Sequence, residues 1–568
     1  MFDPRGLIDV VLVLVVVLAM APFFGRYLGQ VFTDRPAFGD RIWNPIEHQL
    51  FRLLGTNPRH SMRFKEYTIA LLVTSAAIVL WIFALMVLQS SLPWNPNGIP
   101  GMSWDLALHT ASSFTTNTDF THFVAESQLS LGGAILGLQI ALFLSAGTGL
   151  AVVVAFIRGF TRQDGTLGNF YVDLVRAVTR VLLPIAILGA VVLVAMGLPQ
   201  TFTSSVTAYP MTGGAQTIYL GPVASWTSIE MLGTNGGGWY AANAANQLAN
   251  PTVLSMLFQT GLMLLIPFSL PFMFGQMVRK PSEANPYIAT ILIVFLIALG
   301  LFMYFQYLGD PALGSIPGLT ISGNYPVGQQ ALGTLPETSF FQISSIYANV
   351  GAQEMALGSI TPGAQMVTFF GMFTQSTPGG VGTGFGVLLV FSLVAVFIGG
   401  LMVGRTPEYL GKRVGKDQMR WSAFLLISHP AAILVPVVVV FVAGLSIPAL
   451  GAIGPNLQVN AHQFSILLYE FTSESANNGS AMGPINDNTV FFNLVGSAVM
   501  LVGRFFPMIA MLAIGSLFSG EEPIPASAGT LQTNSFTFTL YLTLLLIIIS
   551  GLLFLPVLAL GPLSQVGG

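Results

Sequence analysis

The hexapeptide Gly233-Thr234-Asn235-Gly236-Gly237-Gly238 sits inside residues 181–278, a region with no lysine or arginine. Apolar runs at 181–198 and 251–277 flank it, each long enough to cross a bilayer. A shorter segment, 222–232, leads directly into it. Basic residues near helix ends stay on the cytoplasmic side, so a region bounded by them at both ends crosses the membrane an even number of times. Arg176 and Arg180 bound this region at its start, and Arg279 and Lys280 at its end. The segment 222–232 cannot span a hydrocarbon core of about 30 Å, so it is expected to dip in from outside and return.

The same arrangement recurs along the chain. Of its 20 Lys and Arg, all but Arg5 and Arg504 fall into four clusters: 26–65, 158–180, 279–280 and 405–420. Residues 66–157, 181–278, 281–404 and 421–503 carry none. Each contains an apolar helix, a polar middle and a second apolar stretch: 67–88 and 131–157, 181–198 and 251–277, 288–307 and 366–403, 424–445 and 490–518. The half-length segments between them lie at 104–113, 222–232, 337–347 and 464–472. The run 7–24 has one Arg before it and no small-x-small cleavage site, so it is read as a retained membrane helix. With a last helix at 540–560, the fold class is an all-α polytopic membrane protein of about ten transmembrane helices. Four helix–pore loop–helix units surround one pore, and both termini are extracytoplasmic. The expected divisions are residues 1–65, 66–157, 158–278, 279–404, 405–522 and 523–568.

Composition agrees. Hydrophobic residues make up 53% and charged residues 8%, about a third of the charge of a soluble domain, which places the chain in a bilayer. The apolar runs do not alternate with polar residues, which excludes a β-barrel. A net charge of −3 and the lack of a basic tract exclude nucleic acid as a partner. The chain has no cysteine, hence no disulfide or thiolate chemistry. Six scattered histidines without an HExxH pair give little support to a metal site, and the expectation is isolated packed or interfacial rings.

Each short segment ends in a loop rich in Gly, Asn and Thr: Thr116-Asn117-Thr118-Asp119, Thr234-Asn235-Gly236, Asn349-Val350-Gly351 and Asn477-Asn478-Gly479. Such backbone extends without steric penalty at glycine and can point carbonyl oxygens inward. Four such loops around one axis supply the neutral oxygens that a dehydrating alkali cation needs, and the C-terminal dipoles of the short helices favour positive charge at the centre. Asp119, Glu230 and Glu474 either raise cation concentration at the pore mouth or are ordinary solvated carboxylates.

Two further features stand out. Residues 376–386 break the third unit's apolar stretch with Gly380 and Gly382 among several glycines, as an internal gate, a loop displaced to the surface or a small-residue packing face. Arg504 lies within an apolar helix at a cost of about 3 kcal/mol and is expected to face a polar interior. There it either repels the ion or makes a purely structural pairing.

The strings Gly404-Arg405-Thr406-Pro407-Glu408-Tyr409-Leu410-Gly411-Lys412, Met231 to Gly238, Ala476 to Ala481 and Pro556 to Pro562 resemble the KdpA family over essentially the whole chain. These are the potassium-binding (potassium-transporting ATPase A) subunits of the Kdp ATPase, related to the Trk, Ktr and HKT potassium transporters. The resemblance implies that Asn117, Thr118, Thr234 to Gly236, Asn349 to Gly351 and Asn477 to Gly479 line a K+ filter, and that Arg405 and Arg504 match functional arginines. It also implies passage of K+ to a P-type ATPase subunit, KdpB, with KdpC and the small KdpF as further partners. ATP and Mg2+ would bind the partner, this chain carrying no cofactor beyond the transported ion. The first loop departs from the family's Thr-Asn-Thr-Asn-Trp at Asp119 and Phe120, and the third is shorter than the family's Ala-Ser-Cys-Gly-Ala stretch.

No GxxxxGK[ST] loop and no Asp-Lys-Thr-Gly site occur, so ATP hydrolysis is not expected of this chain. The competing expectations are a stand-alone K+ channel or cation-coupled symporter of the same superfamily, and a polytopic membrane enzyme or scaffold.

Overall fold

A computed structural model describes residues 4–211, 213–309, 332–404, 406–442, 461–483, 485–522 and 531–566. Arg405 and the expected end of a helix at 445 lie outside the described residues. Among the described residues, ten helices are long and apolar enough to cross a membrane. In chain order the helices that build the fold are α1 Pro4–Phe32, α2 Asp40–Leu53, α3 Phe64–Val87, α4 Trp104–Thr115, α5 Leu131–Thr161, α6 Phe170–Ala195, α7 Val223–Leu232 and α8 Val253–Met277. The second half adds α9 Ala284–Leu308, α10 Leu335–Tyr347, α11 Pro362–Thr374, α12 Thr383–Met402, α13 Lys416–Val442, α14 Ala461–Ala476, α15 Val490–Ser519 and α16 Phe536–Leu560.

The four units are α3–α4–α5, α6–α7–α8, α9–α10–α11/α12 and α13–α14–α15. Their middle helices α4, α7, α10 and α14 have 12, 10, 13 and 16 residues. At 1.5 Å per residue a ten-residue helix covers about 15 Å, half a hydrocarbon core, so none of the four starts on one face and ends on the other. Nearly every residue of all four is buried. The long helices form the wall around them. α5 is buried on almost all sides, whereas α1 and α16 expose rows of Leu, Ile and Val toward the lipid side.

Small residues set the closest helix crossings, as expected where backbone packing rather than water drives association. Gly25 and Gly29, one turn apart on α1, lie against Ser269, Met273 and Gln276 of α8. Gly159 of α5 faces Gly515 of α15 so closely that a Cβ would strike the opposite backbone.

Two elements were not legible in the sequence. The basic segment after α1 contains α2, whose Glu47 accepts from Arg180 on α6 at 2.8 Å. A hairpin, β1 Ser205–Ala208 with β2 Gln216–Tyr219, covers the connection before α7.

The basic clusters gather at the end of the bundle opposite the mouths of the pore helices, where they tie helices together. Arg158 of α5 makes a two-armed pair with Asp173 at 2.6 and 2.7 Å and donates to the carbonyl of Phe32 at 2.9 Å. The Tyr67 hydroxyl donates to the same carboxylate at 3.0 Å. Four helices thereby meet at one ion pair. On the hairpin β3 Glu408–Tyr409 and β4 Lys412–Arg413, Lys412 donates to the carbonyls of Gly159 at 3.1 Å and Phe518 at 2.6 Å. A cation there complements the negative ends of α5 and α15. Burial holds the Lys412 amine below the usual lysine range.

Replacing Asp173 by Ala leaves the Arg158 guanidinium buried without its carboxylate, while the Tyr67 hydroxyl keeps the Ala151 carbonyl at 2.9 Å. We expect a loss of about 3–5 kcal/mol in stability of the detergent-solubilised chain, measured by denaturant unfolding. The double replacement Arg158→Leu with Asp173→Leu is expected to recover most of it.

Candidate functional site

The four short helices point their C-terminal ends at one region in the middle of the bundle. Beyond each helix the chain turns through a residue with left-handed backbone: Asn117 (φ 66°), Thr234 (φ 48°), Asn349 (φ 51°) and Asn477 (φ 54°). Three of the four are asparagine, the residue that after glycine most readily adopts this conformation. The equivalence fixes a common register: Asn117-Thr118-Asp119, Thr234-Asn235-Gly236, Asn349-Val350-Gly351 and Asn477-Asn478-Gly479.

Three of the loops meet at their third residue. A Cβ on Gly236 would collide with the carbonyls of Thr118 and Asn478 and with Gly479 Cα; one on Gly351 would meet the Asn478 carbonyl; one on Gly479 would meet the Thr118 carbonyl. Gly351 and Gly479 also have φ of 80° and 92°, which a side chain would strain. Space and conformation together require glycine there. The first loop instead places Asp119 at this position, with φ 52°.

Side chains hold the loops from behind. Asn117 Nδ2 donates to the Gly233 carbonyl at 3.3 Å and also to that of Thr234, while its Oδ1 accepts from Ser145 at 3.0 Å. Ser145 lies 3.2 Å from Asn235 Oδ1 as well. Asn477 Nδ2 donates to Thr118 Oγ1 at 2.8 Å and to the Met500 carbonyl at 3.2 Å. Asn478 Nδ2 reaches the Ile346 carbonyl at 3.3 Å, and Thr116 and Thr118 share a hydrogen bond of 2.8 Å. The first loop is thus braced to the second and fourth, and the fourth to the third pore helix. Val350 is fully buried beside them.

Beneath the loops lies the broken stretch of the third unit. α11 ends at Thr374 and α12 begins at Thr383, and the residues between them are buried. Val381 N–H donates to Thr234 Oγ1 at 2.9 Å and Gly379 N–H to the Tyr347 carbonyl at 2.8 Å. Gly380 faces Asn349 and Thr234, and Gly382 packs against the backbone of Gly149. The expectation of a loop displaced to the surface is therefore overturned: the segment crosses the interior against the four loops, where its polar backbone finds partners.

Arg504 of α15 enters the same space. Its guanidinium donates to the Ser145 carbonyl at 2.8 Å and to Thr383 Oγ1 at 3.3 Å, and Nε has no partner. A small polar cavity is lined by Asn349, Gln375, Thr383, Asn477 and Arg504. Among the described residues, Arg504 makes no carboxylate ion pair. Gln375 and His429, which sequence reasoning missed, complete this level: Gln375 Nε2 lies 3.0 Å from His429 Nδ1, itself 2.8 Å from Ser475. Only the position of Gln375 at the edge of the break could have flagged it.

Two expectations need correction. Asp119, Glu230 and Glu474 are not solvated mouth residues; all three are buried, because the loops and pore helices that carry them pack inside the bundle. His109 and His122 are not isolated rings either. Their centroids lie 3.6 Å apart, beside Glu470 and Glu474, a proximity created by folding pore helix α14 against α4.

Residues 11–566 match the family model described as KdpA, Potassium-transporting ATPase A subunit. The chain is similar to a potassium-transporting ATPase potassium-binding subunit of Nostoc sp., 37% identical over 561 residues that cover 99% of this chain and 98% of the relative. A protein of the same description from Pseudomonas aeruginosa is 38% identical over 552 residues, 97% of this chain and 96% of the relative. In fold it is similar to the crystal structure of the potassium transporter TrkH from Vibrio parahaemolyticus, with a TM-score of 0.52, 14% identity and coverage of 89% of this chain and 98% of that one. With its ten membrane helices and matches over almost its whole length, the chain belongs to the KdpA family of potassium-transporting ATPase A subunits.

Proposed function

We propose that this chain binds extracytoplasmic K+ between its four loops and passes it inward as the potassium-binding subunit of an ATP-driven uptake complex. The observation that carries the proposal is the meeting of Gly236, Gly351 and Gly479 around the carbonyls of Thr118 and Asn478. Backbone oxygens are neutral and numerous enough to replace the hydration shell of K+, and the left-handed turn before each of them aims the chain at the centre. Thr116, Asn117, Thr118, Thr234, Asn235, Asn349, Val350, Asn477 and Asn478 shape and brace the filter. The Asn117 and Asn477 amides hydrogen-bond to neighbouring loops, and those of Asn235 and Asn478 to flanking helices, which fixes the spacing of the carbonyls.

Below the filter, Gly380 and Gly382 form a narrow passage and Arg504 places a positive charge on the ion's route. A fixed charge there opposes the onward movement of a bound cation until a partner shifts the balance. Arg405 is proposed for a similar charge role by family likeness alone. Hydrolysis, with ATP and Mg2+, belongs to a partner of the KdpB type, with KdpC and KdpF types completing the complex. The chain divides on this proposal at residues 65, 157, 278, 404 and 522. Family membership favours this assignment over a stand-alone channel or symporter.

The test is K+-stimulated ATP hydrolysis by the detergent-purified complex of this chain with its ATPase partner. Gly236→Ala is expected to raise the K+ concentration for half-stimulation by about tenfold or more, equivalent to about 1.4 kcal/mol of lost binding; Gly236→Asp is expected to abolish the response. A wild-type complex indifferent to K+ overturns the proposal. So does conduction of K+ by the chain alone in liposomes without an ATPase. Arg504→Ala is expected to raise passive 86Rb+ leak through the complex in liposomes without ATP, while half-stimulation shifts less than in Gly236→Ala.

A further inference from the structure

His109 on α4 and His122 just beyond the first loop stack face to face, 20° from parallel. Glu470 and Glu474, one turn apart on α14, face these rings. His109 Nε2 lies 3.6 Å from Glu474 Oε1, and His122 Nε2 lies 3.4 Å from Glu470 Oε1 and 4.0 Å from Asp487 Oδ2. The histidines and both glutamates are at most 4% exposed. Asp487, its side chain 22% exposed, forms the edge nearest solvent. Among the described residues, neither nitrogen of His109 has a hydrogen-bond partner; nor do His122 Nε2, Glu470 Oε1 or either Glu474 oxygen. Buried polar atoms in native proteins are almost always paired, so this concentration of unpaired atoms on facing side chains calls for a common partner.

The protonation of His122 follows from its neighbours. Asn493 Nδ2 donates to Asp105 Oδ2 at 2.9 Å and to Asn488 Oδ1 at 3.2 Å, which turns Asn493 Oδ1 toward His122 Nδ1 at 2.7 Å. That oxygen accepts only, so Nδ1 carries the hydrogen and a neutral His122 presents the lone pair of Nε2 to Glu470 and Asp487. A lone pair beside carboxylates repels them unless a proton or a metal cation lies between, and 3.4 Å is long for a shared proton. An Nδ1–H anchored on a carbonyl oxygen is also how metal-binding histidines are oriented.

The distances fit the same arrangement. Zn–N and Zn–O bonds of about 2.0–2.2 Å at a tetrahedral angle separate two ligand atoms by about 3.4 Å. The 3.4 Å between His122 Nε2 and Glu470 Oε1 matches this and exceeds the about 2.7–3.2 Å of a good N–H···O bond. The ligand atoms of His109, His122 and Glu474 lie within 4.8 Å of one another, as do those of His122, Glu470 and Asp487.

We propose that His122, Glu470 and Asp487 form a binding site for one divalent transition-metal ion, with His109 stacked on the His122 ring and Glu474 one turn from Glu470 beside it. A mixed imidazole and carboxylate set suits Zn2+, Co2+ or Ni2+ and disfavours Mg2+ and Ca2+, which take oxygen ligands. Asn477 N–H donates to the Glu474 carbonyl at 3.1 Å, so the site adjoins the fourth filter loop directly, while His109 and His122 flank the first. A bound ion cross-braces two of the four loops from behind without entering the K+ path. The proposal stands independently of the transport assignment.

The test uses the full chain in its detergent-purified complex, without a histidine tag. The complex is stripped with EDTA, loaded with Zn2+, desalted, and measured for metal by mass spectrometry; Co2+ loading is followed by visible absorption. Wild type is expected to retain one Zn2+ per chain, to give the intense Co2+ bands of a low-symmetry nitrogen and oxygen site, and to gain thermal stability with Zn2+. The double variant His109→Phe/His122→Phe is expected to lose all three. Asn493→Ala and Asp487→Asn leave the buried ligands in place and are expected to lower Zn2+ affinity by about tenfold or more. They keep the test open if the double variant does not fold. Wild type retaining no more Zn2+ than these variants, or Co2+ showing only its weak aqueous spectrum, overturns the proposal. Equal retention of Mg2+ in place of Zn2+ overturns its chemistry.

Discussion

A backbone amide in the hydrocarbon core has no water to pair with, and every feature of this protein follows from placing four stretches of non-helical backbone at that depth. Such backbone survives only where it is walled from lipid and supplied with partners. The long helices are the wall. Pore helices α4, α7, α10 and α14 are buried along nearly their whole length because any lipid contact would bring their loops to the surface. Glycines on α1, α5 and α15 allow the wall to close tightly around them.

Inside the wall, polar side chains bond to one another and to backbone carbonyls. Asn117 and Asn477 stitch adjacent loops together, Asn235 and Asn478 bond to flanking helices, and Ser145 joins two of those amides. These bonds set the positions of the loops relative to one another. The ion pair of Arg158 with Asp173 and the three-way contact of Lys412 do the same at the opposite end, where they lock helix ends that carry unpaired carbonyls.

The fourfold pattern is deliberately incomplete. The first loop has Asp119 where the others have glycine, and the third unit breaks its second helix into α11 and α12. These departures do different things. Asp119 brings a buried carboxylate next to three neutral loops, whereas the break lowers a glycine-rich segment beneath the filter and opposite Arg504.

The spacing of lysine and arginine determined the number of crossings, and glycine with asparagine at the ends of half-length helices determined that four loops re-enter the membrane. Both signals are one-dimensional: charge is excluded from the bilayer residue by residue, and helix length is set by the count of apolar residues. Helix α2 was hidden because its amphipathic face is short and charged, and the hairpin before α7 because its strands have only four residues each. Tertiary structure alone decided which carboxylates are buried, that residues 376–386 pass under the loops rather than along the surface, and that His109 and His122 stand against Glu470 and Glu474. Those residues come from separate repeats. Their contact depends on how four pore helices rotate about a common axis, a quantity fixed by packing between helices and carried by no periodicity within any one of them.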